Sequence, residues 1–383
     1  MTESPHVLVD ATAIPRNRGG VGRYLEHLLP ALDAGGQRMT ILTQGEDAGW
    51  MSRSAPSADV VVPRAKIAER PRRLAWEQVG LPRIAKRRGA DVIFSPHYTM
   101  PVLAGMPVVV TLHDATFFSH PELHGRGKGE FFRRWSRYSL AHAAATIVPS
   151  AATASELERW AGTPTPPSVV AYHGVDASVF DVPTARQRDA ARVLVGHDEW
   201  IAFLGTIEPR KNIGALVAAF STLLADPAST GRHPDLALAL AGGSGWDETV
   251  DAAIEASGVG HRIVRLGFVP DDELAGLLGG SLLVAYPSLG EGFGLPVLEA
   301  MATGAPVLTT PILALPEVGG DVAVYTEPDA PSIAAALAQM IGDPEDRARR
   351  GQAGIDRAAQ FSWAASAAIH AEVFARAAAG KND

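Results

Sequence analysis

The run from Gly290 to Ala302 combines a glycine-rich turn, a possible helix start and two carboxylates. Three of its first five residues are glycine, so the backbone there can approach a ligand closely. Pro296 suits the first position of a helix, where its missing N–H would be unpaired anyway. The free amides of a helix start attract an anion. The carboxylates of Glu291 and Glu299 can each accept hydrogen bonds from hydroxyl groups. Together these features predict a site for a phosphate-linked sugar.

The spacing of Glu291 and Glu299 limits how they can share a ligand. They are eight residues apart, which along one helix is ~800° of rotation and leaves them about 80° out of alignment. We therefore place Glu291 in the loop and Glu299 on the first helical turn, where the two would touch different parts of one ligand. The alternative is that Glu299 is an ordinary charged residue on a helix surface.

A pair of cations follows the apolar run Ile201–Leu204. Arg210 and Lys211 lie between that run and an apolar, helix-like segment, Ile213–Phe220. When a glycosidic bond to a diphosphate breaks, charge develops on the leaving group, and two cations at a strand end can stabilise it. The alternative is two solvated charges at the start of a helix.

Two segments of the N-terminal half could also contact a ligand. Gly20 belongs to a glycine-rich turn that opens a helix, where it can close over a diphosphate or simply reverse the chain. His113 and Asp114 end the apolar run Val108–Leu112. The alternative there is an N-cap aspartate with a histidine beside it by chance.

Short apolar runs separated by helix-length segments are typical of strands buried on both faces, and so predict an α/β fold with parallel sheets. The runs fall into two sets, and we place the boundary near residue 185. We predict an N-terminal, acceptor-binding domain over residues 1–185 and a C-terminal, donor-binding domain over residues 186–360. A last helix over residues 361–383 could cross back to the first domain. The predicted strands are Val7–Val9, Thr40–Leu42, Asp91–Phe94, Val108–Leu112, Thr146–Val148, Ile201–Leu204, Leu236–Leu240, Ile263–Leu266, Leu282–Tyr286 and Pro306–Leu308.

Composition narrows the function classes. The formal net charge of −8 and the lack of a recognisable motif argue against nucleic-acid binding. The chain has no cysteine, its histidines show no metal-site spacing, and Asp114, Asp271 and Asp272 form no Asp-x-Asp pair, so we expect no metal dependence. We expect a cytoplasmic protein because no apolar stretch is long enough to span a membrane. It could still be peripheral at the inner face of the cell membrane.

Across most of its length, and most clearly over residues 201–310, the chain resembles the retaining glycosyltransferases of family 4. The resemblance implies the GT-B fold, in which two Rossmann-like domains with parallel sheets face each other across a cleft. It implies that Glu291 contacts sugar hydroxyls and that Glu299 hydrogen-bonds the nucleotide ribose. The resemblance also assigns roles near the sugar and phosphate to the backbone amides of four residues, Gly292, Phe293, Gly294 and Leu295.

The same resemblance gives roles to the other candidates. Gly20 would lie over the donor phosphates, His113 would face the transferred sugar, and Val269 would lie where the nucleotide base rests. Lys211 keeps the family's position. The family usually has Gly-Arg where this chain has Gly205 and Thr206, so Arg210 would supply the guanidinium from a different backbone position.

The implied activity is metal-independent transfer of a hexose from a nucleotide sugar to a hydroxyl acceptor, such as a growing glycan or glycolipid. We favour GDP-mannose, because residues 205–212 and 113–123 look similar to bacterial mannosyltransferases of surface polysaccharide synthesis. The open alternatives are a UDP-glucose, UDP-N-acetylhexosamine or dTDP-rhamnose donor, a hydrolase or epimerase of the same fold, and a non-catalytic nucleotide-sugar-binding protein. The cationic and aromatic segment 126–138 favours a helix packed on its own domain. The alternative is a helix on an anionic membrane that carries a lipid-linked acceptor.

Overall fold

The structure is a computed structural model that describes residues 4–14, 20–65, 67, 69–227 and 231–380. Its internal contacts divide the chain into two units. Unit 1 comprises Met1–Gly174 and Ser362–Asp383, and unit 2 comprises Val175–Phe361. The division therefore falls ahead of residue 185, and the C-terminal segment groups with unit 1.

Unit 1 contains a seven-stranded parallel sheet with the strand order β3-β2-β1-β4-β5-β6-β7. The central strand β1 pairs with β2 on one side and with β4 on the other, so that Val7 lies beside both Met39 and Val92. The strands are β1 Val7–Asp10, β2 Met39–Leu42, β3 Asp59–Val61, β4 Val92–Ser95, β5 Val108–Thr111, β6 Ala145–Val148 and β7 Val169–Val170.

Helices connect most consecutive strands of unit 1, as is usual for parallel strands, whereas residues 96–107 join β4 to β5 as a loop. The helices are α1 Val21–Ala34, α2 Ala48–Ser54, α3 Arg70–Arg88, α4 Thr116–Ser119, α5 Arg126–His142 and α6 Ala151–Ala161, together with a 3-10 turn at Pro121–Leu123. The last helix of the chain, α15 (Trp363–Ala379), packs against α1 within this unit.

Unit 2 contains a six-stranded parallel sheet with the order β10-β9-β8-β11-β12-β13. Its strands are β8 Trp200–Leu204, β9 Ala237–Ala241, β10 Ile263–Gly267, β11 Leu283–Tyr286, β12 Val307–Thr309 and β13 Val324–Tyr325. Its helices are α7 Ala185–Val195, α8 Ile213–Ala225, α9 Thr249–Ala256, α10 Asp271–Gly279, α11 Leu295–Ala302, α12 Leu315–Gly319, α13 Ala330–Gly342 and α14 Pro344–Ala358, with 3-10 turns at Pro209–Lys211 and Gly260–Arg262.

The predicted α/β fold with two parallel sheets is confirmed. The central strands are buried on both faces, which is why they appear in the sequence as continuous apolar runs. Three short strands were not predicted: β3, β7 and β13. Each lies at the edge of its sheet and is partly exposed, so burial does not demand the apolar run by which a central strand is recognised.

Helix α5 packs on its own unit, which is the interpretation that the sequence favours. Phe132, Trp135 and Tyr138 lie against the hydrophobic core of unit 1. The guanidinium of Arg70 lies 4.5 Å from the ring centre of Phe131, a cation–π contact that links α3 to α5. No helix in the described ranges combines the length and apolar composition that would let it cross a membrane.

Candidate functional site

Glycines bring two strand-end loops of unit 2 into direct backbone contact. Gly242, just after β9, has a φ of +135°, and a Cβ there would collide with the backbone of Gly205, just after β8. A Cβ at Gly245 would likewise collide with the backbone carbonyl of Ile207. Only glycine fits at these two positions. The close approach positions the loop that carries Arg210 and Lys211.

Glu291 is the centre of a buried cluster at the carboxyl ends of β8 and β11. Its Oε1 accepts hydrogen bonds from Lys211 Nζ at 2.7 Å, Ser288 Oγ at 2.7 Å and Tyr286 OH at 2.8 Å. Its Oε2 forms an ion pair with the guanidinium of Arg210. Lys211 also donates to the Tyr286 hydroxyl. The structure thus brings the adjacent residues Arg210 and Lys211 together with Glu291, which lies 80 residues after Lys211 in the sequence.

Hydrogen bonds to backbone carbonyls hold the two loops of this cluster together. Leu289 N donates to the carbonyl of Arg210 at 2.8 Å, and Arg210 Nη1 donates to the carbonyl of Gly290 at 2.6 Å. Ser288 Oγ lies 3.1 Å from the carbonyl of Arg210, so one side chain bridges both loops. The cations therefore have defined positions, which electrostatic stabilisation of a leaving group requires.

Burial and neighbouring charges shift the pKa values of the titratable groups in this cluster. Burial alone would raise the pKa of Glu291, but the charges of Arg210 and Lys211 outweigh it and lower this pKa to about 2. Burial and the neighbouring Arg210 charge lower the pKa of Lys211. Burial, followed by the Glu291 charge, raises the pKa of Tyr286. Glu291 is therefore a carboxylate at neutral pH, and Tyr286 keeps its proton.

The glycine turn precedes a helix start, with two corrections to the prediction. Helix α11 begins at Leu295 after Gly294, which has a φ of +108°. Pro296 therefore occupies the second helical position rather than the first, where its lack of an N–H is equally harmless because the first four amides have no helical partner. Glu299 is the fifth residue of the helix, so it lies on the second turn and not the first.

Glu299 is not a surface residue. Its relative exposure is 3%, although a helix surface was the alternative interpretation of this residue. Its negative charge contributes to raising the pKa of Tyr286, so the two side chains share one electrostatic environment. Phe293 is also buried and packs edge-on against Phe361, with the ring centres 6.0 Å apart. The buried Phe293 side chain thus anchors the turn formed by Gly292 to Leu295.

Val269, the predicted neighbour of a nucleotide base, follows β10 and is buried with 5% exposure. Its neighbour Phe268 is 80% exposed. The side chain of Val269 therefore belongs to the core, and a base contact at this position would involve its backbone.

In unit 1, Gly20 caps helix α1 with a φ of +59°, and no atom lies within 4 Å of where its Cβ would be. Arg18 and Gly19 of the same predicted turn lie outside the described residues. The first turn of α1 also carries Tyr24, whose ring packs edge-on against His113 at 4.7 Å. The N-terminus of α1 and the end of β5 are thus neighbours.

His113 has a defined tautomer. Its Nε2 lies 2.7 Å from the carbonyl oxygen of Pro96, and because a carbonyl can only accept, Nε2 carries the proton. Nδ1 is then the acceptor of the ring. Burial lowers the pKa of His113 to about 4, so the ring is neutral at physiological pH. Such an imidazole can accept a hydrogen bond from a sugar hydroxyl.

A buried polar network lies next to Pro96. Among the described residues, Asp10, Glu77 and His97 bring ligand atoms within 4.8 Å of one another, as a metal site would. Arg73 and Thr99 donate to Glu77 Oε2 at 3.0 and 2.9 Å, however, and His97 Nε2 lies 3.1 Å from Asp10 Oδ2. Because a guanidinium already pairs with Glu77, we interpret the group as an ion-pair network that fixes the segment carrying the Pro96 carbonyl.

Sequence reasoning missed Tyr286 and Ser288, which both bind Glu291. Tyr286 ends the predicted strand Leu282–Tyr286, and its aromatic side chain looks like an ordinary core residue. Ser288 is a small polar residue in a loop. One signal was available: Tyr286 is the last residue of a buried strand and Ser288 follows it, and both precede the glycine turn. This is the edge of a parallel sheet at which ligand-binding loops meet.

Buried neutral histidines make the stability of unit 1 depend on pH. Burial lowers the pKa of His113 and of His370 to about 4, and it also lowers that of His173. Below about pH 6.5 the unfolded chain therefore binds protons that the folded unit does not. The contribution of these neutral histidines to the free energy of unfolding is complete above that pH and is lost as the pH falls toward 4. The loss is about 3 kcal/mol each for His113 and His370.

We expect the thermal unfolding midpoint to fall between about pH 7 and about pH 4.5, with a shallower fall in His370→Gln. His370 is fully buried, with Nε2 2.5 Å from Tyr24 OH, so protonation would place a positive charge in the core away from water. His142→Gln, at an exposed position on α5, is the matched control and should keep the wild-type slope. A wild-type midpoint that is constant over this range would contradict the assignment.

Comparisons with known proteins cover both units. Residues 18–179 match the family described as Glycosyltransferase Family 4, and residues 186–357 match the family described as Glycosyl transferases group 1. The chain is 32% identical to the O-antigen chain mannosyltransferase B of Escherichia coli over 298 residues, which is 76% of this chain and 74% of that protein. It is 32% identical to the D-inositol 3-phosphate glycosyltransferase of Corynebacterium diphtheriae over 217 residues, 54% of this chain and 49% of that protein.

Solved structures share the whole architecture. The sucrose-phosphate synthase of Thermosynechococcus elongatus superposes with a TM-score of 0.78 at 20% identity, covering 98% of this chain and 100% of that one. HepE of Anabaena, in complex with UDP and glucose, gives a TM-score of 0.75 at 19% identity over 97% and 99% of the two chains. WaaG, a glycosyltransferase involved in lipopolysaccharide biosynthesis, gives 0.73 at 15% over 96% and 99%. Identities this low describe a shared fold.

Proposed function

Because this chain belongs to the group 1 and family 4 glycosyltransferases, with the GT-B fold that its sequence predicts, we propose that it is a retaining hexosyltransferase acting on a nucleotide sugar. The favoured donor is GDP-mannose, and the acceptor is a hydroxyl group of a growing glycan or glycolipid. The name of the Escherichia coli relative, a mannosyltransferase of the O-antigen chain, supports both choices. We also propose that the enzyme works in the cytoplasm.

The observation that carries the proposal is the cluster around Glu291. Arg210 and Lys211 lie side by side on one carboxylate, at the carboxyl ends of two parallel strands. This is the edge at which open α/β sheets bind their ligands. The two cations would stabilise the diphosphate leaving group, and Glu291 would accept hydrogen bonds from the sugar hydroxyls. Buried donors hold these groups in place before the ligand arrives.

The remaining candidates have supporting roles in this proposal. The amides at the start of α11 would face the sugar and phosphate, and Glu299 on its second turn would bind the ribose. Gly20 would lie over the diphosphate, and Val269 would contact the base through its backbone. His113, neutral and with Nδ1 as its acceptor, would bind a hydroxyl of the transferred sugar.

The proposed reaction is a front-face substitution. As the bond between the anomeric carbon and the diphosphate oxygen breaks, the acceptor oxygen bonds to the same face of that carbon. The departing phosphate takes the acceptor's proton, so no enzymic nucleophile or base is needed, and the configuration is retained. The protein supplies positioning and charge stabilisation, with Arg210 and Lys211 in the place that a metal ion would otherwise fill.

A thermal-shift panel followed by a transfer assay tests the proposal. GDP-mannose is expected to raise the unfolding midpoint more than UDP-glucose, UDP-N-acetylglucosamine or dTDP-rhamnose, since a ligand of the native state stabilises it by mass action. With a mannoside acceptor, GDP should be released, the product should be α-linked, and a chelator should leave the rate unchanged. A flat response to every nucleotide sugar would contradict the site.

The assay also separates the alternative functions. Release of free mannose without an acceptor would indicate a hydrolase, and interconversion of the donor sugar would indicate an epimerase. A shift with no turnover on any acceptor would indicate a binding protein. If a different nucleotide sugar gives the largest shift and is the one transferred, the donor assignment is wrong while the transferase assignment remains.

A further inference from the structure

A hydrogen-bonded chain through unit 1 connects the C-terminal helix α15 with the residues next to His113. The Tyr24 hydroxyl lies 2.5 Å from His370 Nε2 on α15 and 3.2 Å from Thr111 Oγ1 at the end of β5. All three of these side chains are buried. Tyr24 and His370 are 346 residues apart in the sequence, so their contact exists only because α15 packs against α1.

Each proton in this chain has a defined place. His370 Nδ1 lies 2.7 Å from the carbonyl oxygen of Ser366, and because a carbonyl can only accept, Nδ1 carries the proton. Burial lowers the pKa of His370 to about 4, so the ring is neutral at physiological pH and Nε2 is an acceptor. Tyr24 must then donate to Nε2, and because a hydroxyl has only one proton, Thr111 must donate to Tyr24. The hydroxyl of Tyr24 is thus held from both sides.

His370 lies in apolar surroundings. Its ring packs edge-on against Phe94 and Phe374, with ring centres 5.8 Å and 6.2 Å away. An apolar side chain could fill this space without a hydrogen bond to satisfy, so packing alone does not explain a histidine here. A buried polar network whose members are all satisfied differs from apolar packing, because it fixes one orientation of the groups that it joins. The group that His370 orients is Tyr24.

The ring of Tyr24 lies against the imidazole of His113. Their centres are 4.7 Å apart and their planes are at 78°, an edge-on contact that depends on orientation. Tyr98 makes a second edge-on contact with the same imidazole, at 5.9 Å and 65°. Together with the hydrogen bond to the carbonyl of Pro96, the two tyrosine rings determine where the imidazole lies. Helix α15 therefore reaches His113 through Tyr24.

Burial decides which of these groups a ligand can reach. His113 is partly exposed, whereas Tyr24 and His370 are buried. Tyr24 and His370 therefore cannot contact a ligand themselves, and any effect that they have on a bound sugar must pass through His113. Such an effect is one of position, and a small displacement of a group that holds the substrate lowers a reaction rate strongly.

We propose that His370 is a positioning residue: by holding Tyr24 in place, it fixes the imidazole of His113 in the orientation that binds the transferred sugar. The proposal rests on the proposed transferase function, which gives His113 its contact with a sugar hydroxyl. It adds that the C-terminal helix α15 is needed for turnover and not only for the stability of unit 1.

Two substitutions of His370 separate its hydrogen bond from its packing. His370→Leu is apolar and cannot accept from Tyr24, whereas His370→Gln keeps an acceptor in its amide oxygen. We expect His370→Leu to lower kcat for sugar transfer about 10- to 100-fold, the effect of a misplaced binding group, with a smaller change in the donor KM. His370→Gln should retain most of the wild-type kcat. Equal losses in the two variants would refute the role of the hydrogen bond.

Double substitutions test whether the effect passes through Tyr24 and His113. Adding Tyr24→Phe to His370→Leu removes the hydroxyl that has lost its acceptor, so the unfolding midpoint should recover while kcat stays low. In a His113→Ala background, His370→Leu should lower kcat no further, because residues that act as a unit have non-additive effects. A fully additive loss would mean that His370 affects the rate by another route, which contradicts the proposal.

Nitrogen NMR of the histidine rings tests the positioning without any substrate. Wild-type His113 should show the Nε2–H tautomer, as its hydrogen bond to Pro96 requires, and His370→Leu should add signals of the Nδ1–H tautomer because the ring is no longer held. A wild-type protein that transfers no sugar, while His370→Leu still changes the His113 tautomer, would contradict the proposed function and leave the positioning intact.

Val373→Ala is the matched control. Val373 is buried on the same helix, so its truncation should lower the unfolding midpoint by creating a cavity. It leaves the polar groups of the chain in place, and we expect both kcat and the His113 tautomer to stay as in the wild type. If His370→Leu does not differ from Val373→Ala in either readout, His370 has a structural role only and the proposal is wrong.

Discussion

Glu291→Gln is expected to lower kcat for sugar transfer by about 100- to 1,000-fold, the usual effect of removing one preorganised polar contact to a transition state. The amide keeps the volume of the side chain but loses the charge that binds Lys211 and Arg210. It also loses one of two oxygens that can accept from sugar hydroxyls. Because the side chain is buried, the unfolding midpoint must be measured alongside the steady-state rates.

Glu299→Gln is the matched control for this variant. It is an equally buried carboxylate eight residues away, with a proposed contact to the ribose rather than to the transferred sugar. We expect it to raise the donor KM about tenfold or more, the loss of a charged hydrogen bond, with a smaller change in kcat. Small and equal effects of both substitutions would refute the two assignments.

Lys211→Met should also lower kcat by about 100- to 1,000-fold, because the diphosphate then leaves without one of its two cations. Methionine fills similar space without charge, and Arg210 remains to pair with the buried carboxylate of Glu291. The loss should therefore appear in the rate more than in the folding. Rates are measured at saturating donor, together with donor affinity from thermal shifts.

Lys86→Met provides the comparison for Lys211→Met. Lys86 is exposed on helix α3, and its removal should leave kcat within about twofold of wild type, as is usual for surface substitutions. If Lys211→Met turns over as fast as Lys86→Met, the lysine has a structural role only. Arg210 would then be the cation that matters for the leaving group.

Sequence reasoning works best where burial constrains the residues. Strands such as β8 and β9 are enclosed on both faces, and their continuous apolar runs reveal them. The edge strand β3 is partly exposed and has no such run. Helix α11 is a similar case: its approximate place follows from the glycines and Pro296, but its first residue depends on the backbone geometry of Gly294. For this reason Glu299 lies one turn later than predicted.

The candidate site could likewise be predicted from the sequence only in part. Arg210, Lys211 and Glu291 could be named from motifs, because their types and positions carry the chemistry. That they share one ion-pair cluster depends on the pairing of β8 with β11, which no local pattern specifies. Tyr286 and Ser288 were missed because their role exists only through contact with Glu291. The Asp10 and His97 pair likewise joins two strand ends that the topology makes neighbours.

Glu291 neutralises the charges of Arg210 and Lys211, and this affects which ligands can bind to the cluster. A free phosphate that competes for the two cations must displace a carboxylate belonging to the same protein, and it leaves that carboxylate buried and uncompensated. A free sugar offers hydroxyls but no anion to take over the cations. A molecule that carries both a diphosphate and a sugar can pair with the two cations through its phosphates and hydrogen-bond to the carboxylate through its hydroxyls. In the proposed function, the cluster would therefore bind the intact nucleotide sugar in preference to free phosphate or free sugar.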